Sequence, residues 1–371
     1  MITEIGLKNC RSLSNFFSHT DSKVIVISGP NGSGKTSILE SISLLHPGKG
    51  LKQDDLSQFI RYDHSQAEIG CKIKNNIVFE VIARIEQNKK NVSINGSQSS
   101  IGEVSKLIAI TSITPQMSDF FIGPIAQRRN WLDRIAYKLN LSHAKSLKLY
   151  ETLTKNRIDL LEYNSVTLDS IESQISVLSL EIFVNRENAI KFLDTNMKKI
   201  SEFGFVSGKI QRSGQFYKKV ISTVDLKLQQ QLNENNDDDS KLIEYILDNE
   251  ECKQKTIQVL FDTLKQNRYV DFTVHKTTFS VNKSDFTILI KGGQDIRMCS
   301  TAEQKLGLVS LGLSSAKENS ILLLDELFCH LDSQNRSLVG RYIDKIPGQV
   351  WITTSEPNDS RYMQELLHIK L

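Results

Sequence analysis

No run of about 18 apolar residues occurs anywhere in the chain, and Met1 to Asn9 lack the basic start and apolar middle of an export signal. Neither membrane insertion nor secretion is expected, so the chain is placed in the cytoplasm. Cysteine is scarce: Cys10, Cys71, Cys252, Cys299 and Cys329 are odd in number and scattered, with no C-x-x-C pair. That excludes a disulfide scaffold or a cysteine zinc centre and fits reduced thiols. The Asn-x-Ser triplets at Asn31, Asn91 and Asn95 are then not glycosylation sites. Charge of one sign is nearly absent in excess, with 46 Lys and Arg against 43 Asp and Glu, a net of +3. Such a total does not argue for nucleic acid, which needs a local basic surface. No zinc finger, helix-turn-helix or RNP signature is present either, so any DNA recognition falls on backbone and shape.

What remains is an ordinary globular composition, 39% hydrophobic and 24% charged over 371 residues, long enough for two or three structural units. Residues 23–28, Lys-Val-Ile-Val-Ile-Ser, read as a buried strand. They lead into Gly29, Pro30, Asn31, Gly32, Ser33, Gly34, Lys35, Thr36 and Ser37, in which Gly29 to Thr36 matches G-x-x-x-x-G-K-[ST] in full. Ile38, Leu39, Ile42 and Leu45 follow at helical spacing, so strand, loop and helix come in P-loop order. Glycines let backbone N–H groups wrap phosphates, Lys35 reaches the β and γ oxygens of ATP, and the Thr36 hydroxyl ligates Mg²⁺.

Residues 66–113 alternate as strands, with a tight hairpin expected at Asn95-Gly96 because both types accept positive φ. From 125 to 268 helical spacing dominates, and Ile171, Ile175, Leu178 and Ile182 form a coiled-coil-like seam. The acidic run Asn233 to Ser240, with Asp237, Asp238 and Asp239, reads as a solvated turn, since it lacks the alternation and glycine of a calcium loop. Strand and helix alternate again near the end: strand 286–290, helix 303–313, strand 321–324, helix 334–346, strand 350–354. The apolar strand Ile321 to Leu324 ends in Asp325, which would hold Mg²⁺, and Glu326, which would polarise the attacking water. One Mg²⁺ must meet Thr36 and Asp325 from opposite ends of the chain. The expected fold is therefore α/β, with a P-loop head formed by 1–125, including a β-rich lobe, and by 269–371, interrupted by a helical arm at 126–268.

Three shorter signals accompany these. Cys299-Ser300-Thr301-Ala302-Glu303 precedes a helix, where Ser300 is either an N-cap or, as in ABC-type ATPases, the serine that binds the γ-phosphate held by an opposite subunit. Leu331-Asp332 is similar to the D-loop of that class. Asn9-Cys10-Arg11-Ser12 resembles the Asn-Phe-Arg-Ser segment of SMC-like ATPases, whose arginine approaches the nucleotide. The order of elements resembles the RecF family over nearly the whole length. His46-Pro-Gly48-Lys49 stands where RecF proteins have Gly-Arg-Ser-Phe, and Gly123-Pro124 with Arg128-Arg129-Asn-Trp-Leu132-Asp133 is similar to their Gly-Pro…Arg-Arg-x-Phe-Leu-Asp. Lys155-Asn156-Arg157 with Leu160-Leu161 is similar to their Gln-Arg-Asn segment. The departures are Ser300-Thr-Ala302-Glu303 for Ser-x-Gly-Gln, Val274-His275-Lys276-Thr277 for Gly-Pro-His-Arg-Asp-Asp, and Glu326 for the second Walker-B aspartate.

The resemblance implies an ABC-type P-loop ATPase head and an ATP-dependent homodimer. It also implies a role in recombinational gap repair, replication and the SOS response, on double-stranded DNA and single-strand/double-strand junctions, with RecO and RecR and functionally with RecA. It further implies a weak DNA-dependent ATPase, weakened again by Ala302 and Glu303. Arg128, Arg129, Arg134 and Lys138, followed by Lys145, Lys148, Lys155 and Arg157, offer phosphate contacts or, alternatively, a solvated helix face. The other readings are an SMC-like clamp or regulatory module without useful turnover, and a transporter ATPase subunit. The transporter subunit is disfavoured by the long insertion and by Thr353-Thr354-Ser355 where a histidine is expected. Gln58 and Gln66 are the candidates for a Q-loop glutamine.

Overall fold

In the computed structural model the described residues are 1–48, 50–52, 54–163, 166–201, 208–225, 240–290, 292–329 and 331–371. Lys49 and the acidic run with Asp237, Asp238 and Asp239 lie outside them. Contacts divide the chain into one unit of Met1–Asp119, Asn196–Gly208 and Met298–Leu371, and a second of Phe120–Thr195 and Lys209–Arg297.

The first unit carries two sheets. Strands β1 (Ile2–Cys10), β2 (Leu13–His19), β4 (Gln66–Asn75), β5 (Ile77–Glu86), β6 (Lys89–Ile94) and β7 (Ser97–Ser99) pair antiparallel in the order β2-β1-β4-β5-β6-β7. Ala67, Ile69, Cys71 and Ile73 of β4 are buried while their neighbours turn outward, the period-two pattern of a half-covered sheet. Asn95 and Gly96 join β6 to β7 with φ of 49° and 78°, the left-handed pair of a type I′ turn. The other sheet is parallel: β3 (Val24–Ser28), β8 (Ala109–Ile113), β11 (Ser320–Leu324), β12 (Gln349–Thr354) and β13 (Leu366–Lys370) in the order β13-β3-β12-β11-β8. Every residue of β3, β8, β11 and β12 is buried, as expected where both sheet faces are covered.

Helix α1 (Lys35–Ser43) buries Ile38, Leu39 and Ile42 completely, in one core with Ile25, Leu323 and Trp351 of the parallel sheet and Ile5, Ile69 and Val81 of the antiparallel one. Each such side chain contributes about 1.5–3 kcal/mol. This clamps the loop before α1 between two layers. The sequence pattern groups β8 with the β-rich lobe. Instead, α2 (Ile101–Leu107), capped by Ser100, separates them, and β8 pairs with β11, Ile113 beside Leu324. A five-residue apolar strand does not specify its sheet.

Lys90 on β6 donates to the carbonyls of Leu44, 2.7 Å, and His46, 3.0 Å, just past the end of α1. Burial pushes its amine down to about 8 from an ordinary 10.5. Between those values the unfolded chain retains a proton that the native chain has released, so this residue makes stability rise with pH there. Cys10 and Cys71, pushed up to about 12 by burial, act oppositely at higher pH but equally in a Lys90→Met variant. The stability of wild type minus variant is expected to grow by roughly 1–2 kcal/mol from pH 8 to 10 in urea titrations. Parallel curves would refute it.

The second unit holds α3 (Ile125–Leu139), α4 (His143–Glu162), most of α5 (Leu168–Ser201), α6 (Gln215–Ile221), α7 (Ser240–Asp248), α8 (Glu250–Gln266) and α9 (Arg268–Thr273). Ile175 and Ile182 are buried, and Ile171 and Leu178 pack against the same core, which includes Phe183, Phe216, Leu242 and Leu260. Strands β9 (Gly208–Gly214) and β10 (Ser284–Ile290) form a two-stranded sheet. β10, grouped by sequence with the C-terminal half of the head, thus belongs to the helical unit. The last residues of α5, from Asn196, belong to the first unit, where the Asn196 amide donates to Ser314 O at 2.9 Å.

Candidate nucleotide site

β3 delivers the chain into the glycine loop at the C-terminal edge of the parallel sheet, the usual ligand edge of an open α/β fold. Gly34 caps α1 in left-handed backbone, φ 100°, and a Cβ there would lie 2.7 Å from Leu13 Cδ2. Only glycine fits. The Lys35 ammonium is almost completely buried and donates to its own loop, Gly29 O at 2.7 Å and Pro30 O at 2.9 Å. It thus braces the loop through neutral carbonyls. The Ser33 hydroxyl is buried without a hydrogen-bond partner, an arrangement that needs a ligand or solvent atom to satisfy it. Pro30, Asn31 and Gly32 are exposed, and Ser37 sits in the first turn of α1 with its hydroxyl 3.4 Å from Ser12 Oγ.

β11 brings the acids to the same place. Thr36 Oγ1 donates to Asp325 across 289 positions of chain, 3.0 Å to Oδ1 and 3.2 Å to Oδ2. Thr353 Oγ1 donates to Asp325 Oδ1 at 2.6 Å and accepts from the Glu326 amide at 2.8 Å. The Asp325 amide in turn bonds to Ile113 O at 3.0 Å. Burial raises the Asp325 carboxyl above its ordinary range, against the two threonine hydrogen bonds. Glu326 adopts φ 48°, the left-handed region that costs an L-residue roughly 1–2 kcal/mol. Hydroxyl and carboxylate oxygens this close form a hard donor set suited to Mg²⁺, and the unpartnered Ser33 hydroxyl leaves polar capacity in the loop for phosphate.

The remaining sequence candidates divide. Arg11, in left-handed backbone at φ 48°, gives its guanidinium to both carboxylate oxygens of Glu40, to Asp54 at 2.8 Å and to Gln58 O at 3.2 Å, so it joins α1 to the strand turn. Ser300 caps α10 (Thr301–Ser314) in a capping box: its hydroxyl and amide donate to Glu303 Oε2 at 2.6 and 2.9 Å, and these bonds lower the Glu303 carboxyl. Asp332 caps α11 (Ser333–Ile343), accepting from the Asn335 amide at 2.8 Å.

Two of the basic residues of α3, Arg128 and Lys138, are a correction. Arg128 is 4% exposed and pairs with Asp285 at 2.8 and 2.9 Å while donating to the carbonyls of Phe120, Phe121 and Gly123. Lys138 is buried, and Arg129 and Arg134 are half-buried, with burial lowering both guanidinium pKa values. Arg157 is fully buried. Arg128, Lys138 and Arg157 are thus turned into the helical unit and away from solvent. Of the run, Lys145, Lys148 and Lys155 on α4 are exposed.

Two residues escaped the sequence reading. In sequence Thr353 reads only as a residue standing where a transporter ATPase has histidine; in the fold it ties Asp325 to Glu326. Gln116 lies in the turn Pro115–Met117 that follows the C-terminal end of β8, the strand paired with β11. Gln58 lies in the turn Leu56–Phe59 and Gln66 opens β4, both in the antiparallel lobe's portion of the chain.

The family described as RecF/RecN/SMC N terminal domain matches residues 1–371. Curated relatives include the DNA replication and repair protein RecF of Rickettsia canadensis (strain McKiel), 29% identical over 363 residues, covering 94% of this chain and 92% of that one. The RecF of Rickettsia prowazekii (strain Madrid E) is 28% identical over 366 residues, covering 95% and 93%. A solved structure of the recombination mediator protein RecF-ATP in the RecFOR pathway superposes with a TM-score of 0.78 at 20% identity, over 99% of this chain and 95% of that chain. An SMC head bound to the C-winged helix domain of ScpA gives 0.55 at 14% identity, over 99% and 93%. These structural likenesses carry the ABC-type head fold. The chain belongs to the RecF/RecN/SMC N-terminal domain family and resembles its RecF members along nearly its entire length.

Proposed function

We propose that this chain is a RecF-type, ATP-binding protein of DNA replication and repair acting in the RecFOR pathway. The observation that carries the reading is the 3.0 Å contact between Thr36 and Asp325, which joins the phosphate loop to the acid-tipped strand. The first compact unit is the ATPase head and the second the arm. In this reading the loop amides from Gly29 to Ser37 surround the phosphates and Lys35 releases Gly29 O and Pro30 O to reach the β and γ oxygens. Thr36 and Asp325 would hold Mg²⁺, which when bound neutralises phosphate charge. Glu326, oriented through Thr353, is the general base, and Gln116 completes the ligand edge.

Two copies dimerise on ATP and DNA, with Ser300 and Asp332 of one meeting the nucleotide of the other, and cooperate with RecO and RecR in loading RecA. Lys145, Lys148 and Lys155 are the exposed cations of the original run left for DNA phosphates. Hydrolysis is slow because Ser300 is engaged by the Glu303 carboxylate, a negative charge where a phosphate has to approach. That same contact favours a second reading, an ATP-binding clamp without useful turnover.

Sizing of the protein with and without ATP and a gapped duplex tests the reading directly. A mass doubling that requires both ligands is expected, and a monomer under all conditions would refute it. Phosphate release with DNA separates the two versions: Glu326→Gln is expected to lower it at least tenfold, and equal rates favour the clamp.

A further inference from the structure

We propose that Lys305 is a positioning residue for Glu326, fastening the turn that follows β11 to the first turns of α10. Glu326 leaves the strand in left-handed backbone, and among the described residues the turn that follows is closed by Cys329 N to Glu326 O at 3.2 Å and Leu331 N to Phe328 O at 3.2 Å. Leu327 and Phe328 are buried and anchor one side of it. On the other side Cys329 is exposed, and its carbonyl accepts a 2.5 Å hydrogen bond from the Lys305 ammonium. Lys305, Thr301, Ala302, Asp325 and Glu326 line one cavity of about 580 Å³ in the first unit.

Burial lowers the Lys305 amine, while the nearby Glu326 carboxylate opposes that shift and Arg336 adds to it. A half-buried ammonium is costly to desolvate unless its partners are fixed, and here the partner is the carbonyl of Cys329, whose own amide bonds back to Glu326 O. Lys305 has no bond to the phosphate loop among its hydrogen bonds. Its loss therefore loosens the placement of the Glu326 carboxylate without touching the groups that would bind phosphate. A displacement near 1 Å of a reacting group costs a rate of about 10²-fold.

The turnover part of the test rests on Glu326 as the base; the exchange part does not. In the full chain, Lys305→Met is expected to speed hydrogen exchange at the Cys329 and Leu331 amides at least tenfold, with the amides of 29–37 unchanged, and Lys305→Arg to preserve the wild-type rates. With Mg·ATP and DNA, the Met variant is expected to lose at least tenfold in kcat with KM within twofold, and the Arg variant to regain most of it. Unchanged exchange at the two amides overturns the proposal whatever the turnover, as does faster exchange with kcat intact or a loss confined to KM. If wild type turns over no ATP but the exchange pattern holds, the fastening stands and the hydrolysis reading fails.

Discussion

Lys35→Ala is expected to weaken ATP binding by about 100-fold or more while leaving the fold intact. A charge-assisted hydrogen bond is worth about 1.5–3 kcal/mol, and an ammonium that meets two phosphate oxygens supplies at least one full increment. At 1.4 kcal/mol per factor of ten, about 3 kcal/mol is a 100-fold change in Kd. The unliganded chain tells the other half. Its ammonium is buried against two neutral carbonyls, with no carboxylate among its hydrogen-bond partners, so removing it also removes a desolvated charge, and the net cost to stability is small. The expected signature is thus a melting temperature within a few degrees of wild type and a loss confined to nucleotide affinity and to ATP-dependent dimerisation. Calorimetric titration with ATP and Mg²⁺ checks it. A variant Kd within threefold of wild type would remove the phosphate loop from the proposed chemistry.

How far the sequence carries depends on the range over which each signal acts. The Gly29–Thr36 run is local, and so are the Asn95-Gly96 turn and the capping serine of α10; each is written within a few residues. The meeting of Thr36 with Asp325 is inferable only from chemistry, because no local pattern fixes the order β3-β12-β11 that places the two strand ends on either side of β12. β8 shows the limit from the other direction. Ala-Ile-Thr-Ser-Ile is apolar enough for either sheet, and its partner, β11, arrives some two hundred residues later. The basic run after Gly123 misleads for a related reason. A guanidinium looks the same in sequence whether it faces water or pairs with Asp285, 157 positions away, and helical spacing alone did not reveal that Arg128 and Lys138 face inward. Thr353 was legible as a polar residue at a strand end. Its function as a bridge between two consecutive acids needs the register of β12 beside β11, Ile352 opposite Leu324, which only the folded sheet supplies.

Arg157→Ala is expected to be the most destabilising single change in the helical unit. Its guanidinium is completely buried and donates to Glu172 at 2.9 Å, Asp271 at 2.7 Å and Leu264 O at 2.9 Å, joining α4 to α5, α8 and α9. Arg268 also pairs with Glu172, and Thr278 donates its amide and hydroxyl to the other oxygen of Asp271 at 2.7 and 2.5 Å. Truncation removes the one cation shared by two carboxylates of zero exposure, leaving Asp271 with only neutral donors. Breaking a buried pair costs about 3–5 kcal/mol, chiefly because the abandoned charge stays buried. At about 2–4 °C per kcal/mol the melting temperature falls on the order of 10 °C. The charge argument has a control that a packing argument lacks: Arg157→Met combined with Glu172→Gln and Asp271→Asn removes the cation and both anions while keeping volume, and the hydrogen bonds to Thr278 survive. That triple variant is expected to recover more than half of the loss, a non-additivity that reports coupling among groups in direct contact. Chemical denaturation of the three single variants and the triple variant measures it. A triple variant as unstable as the sum of its parts would mean that shape, and not charge, makes Arg157 necessary.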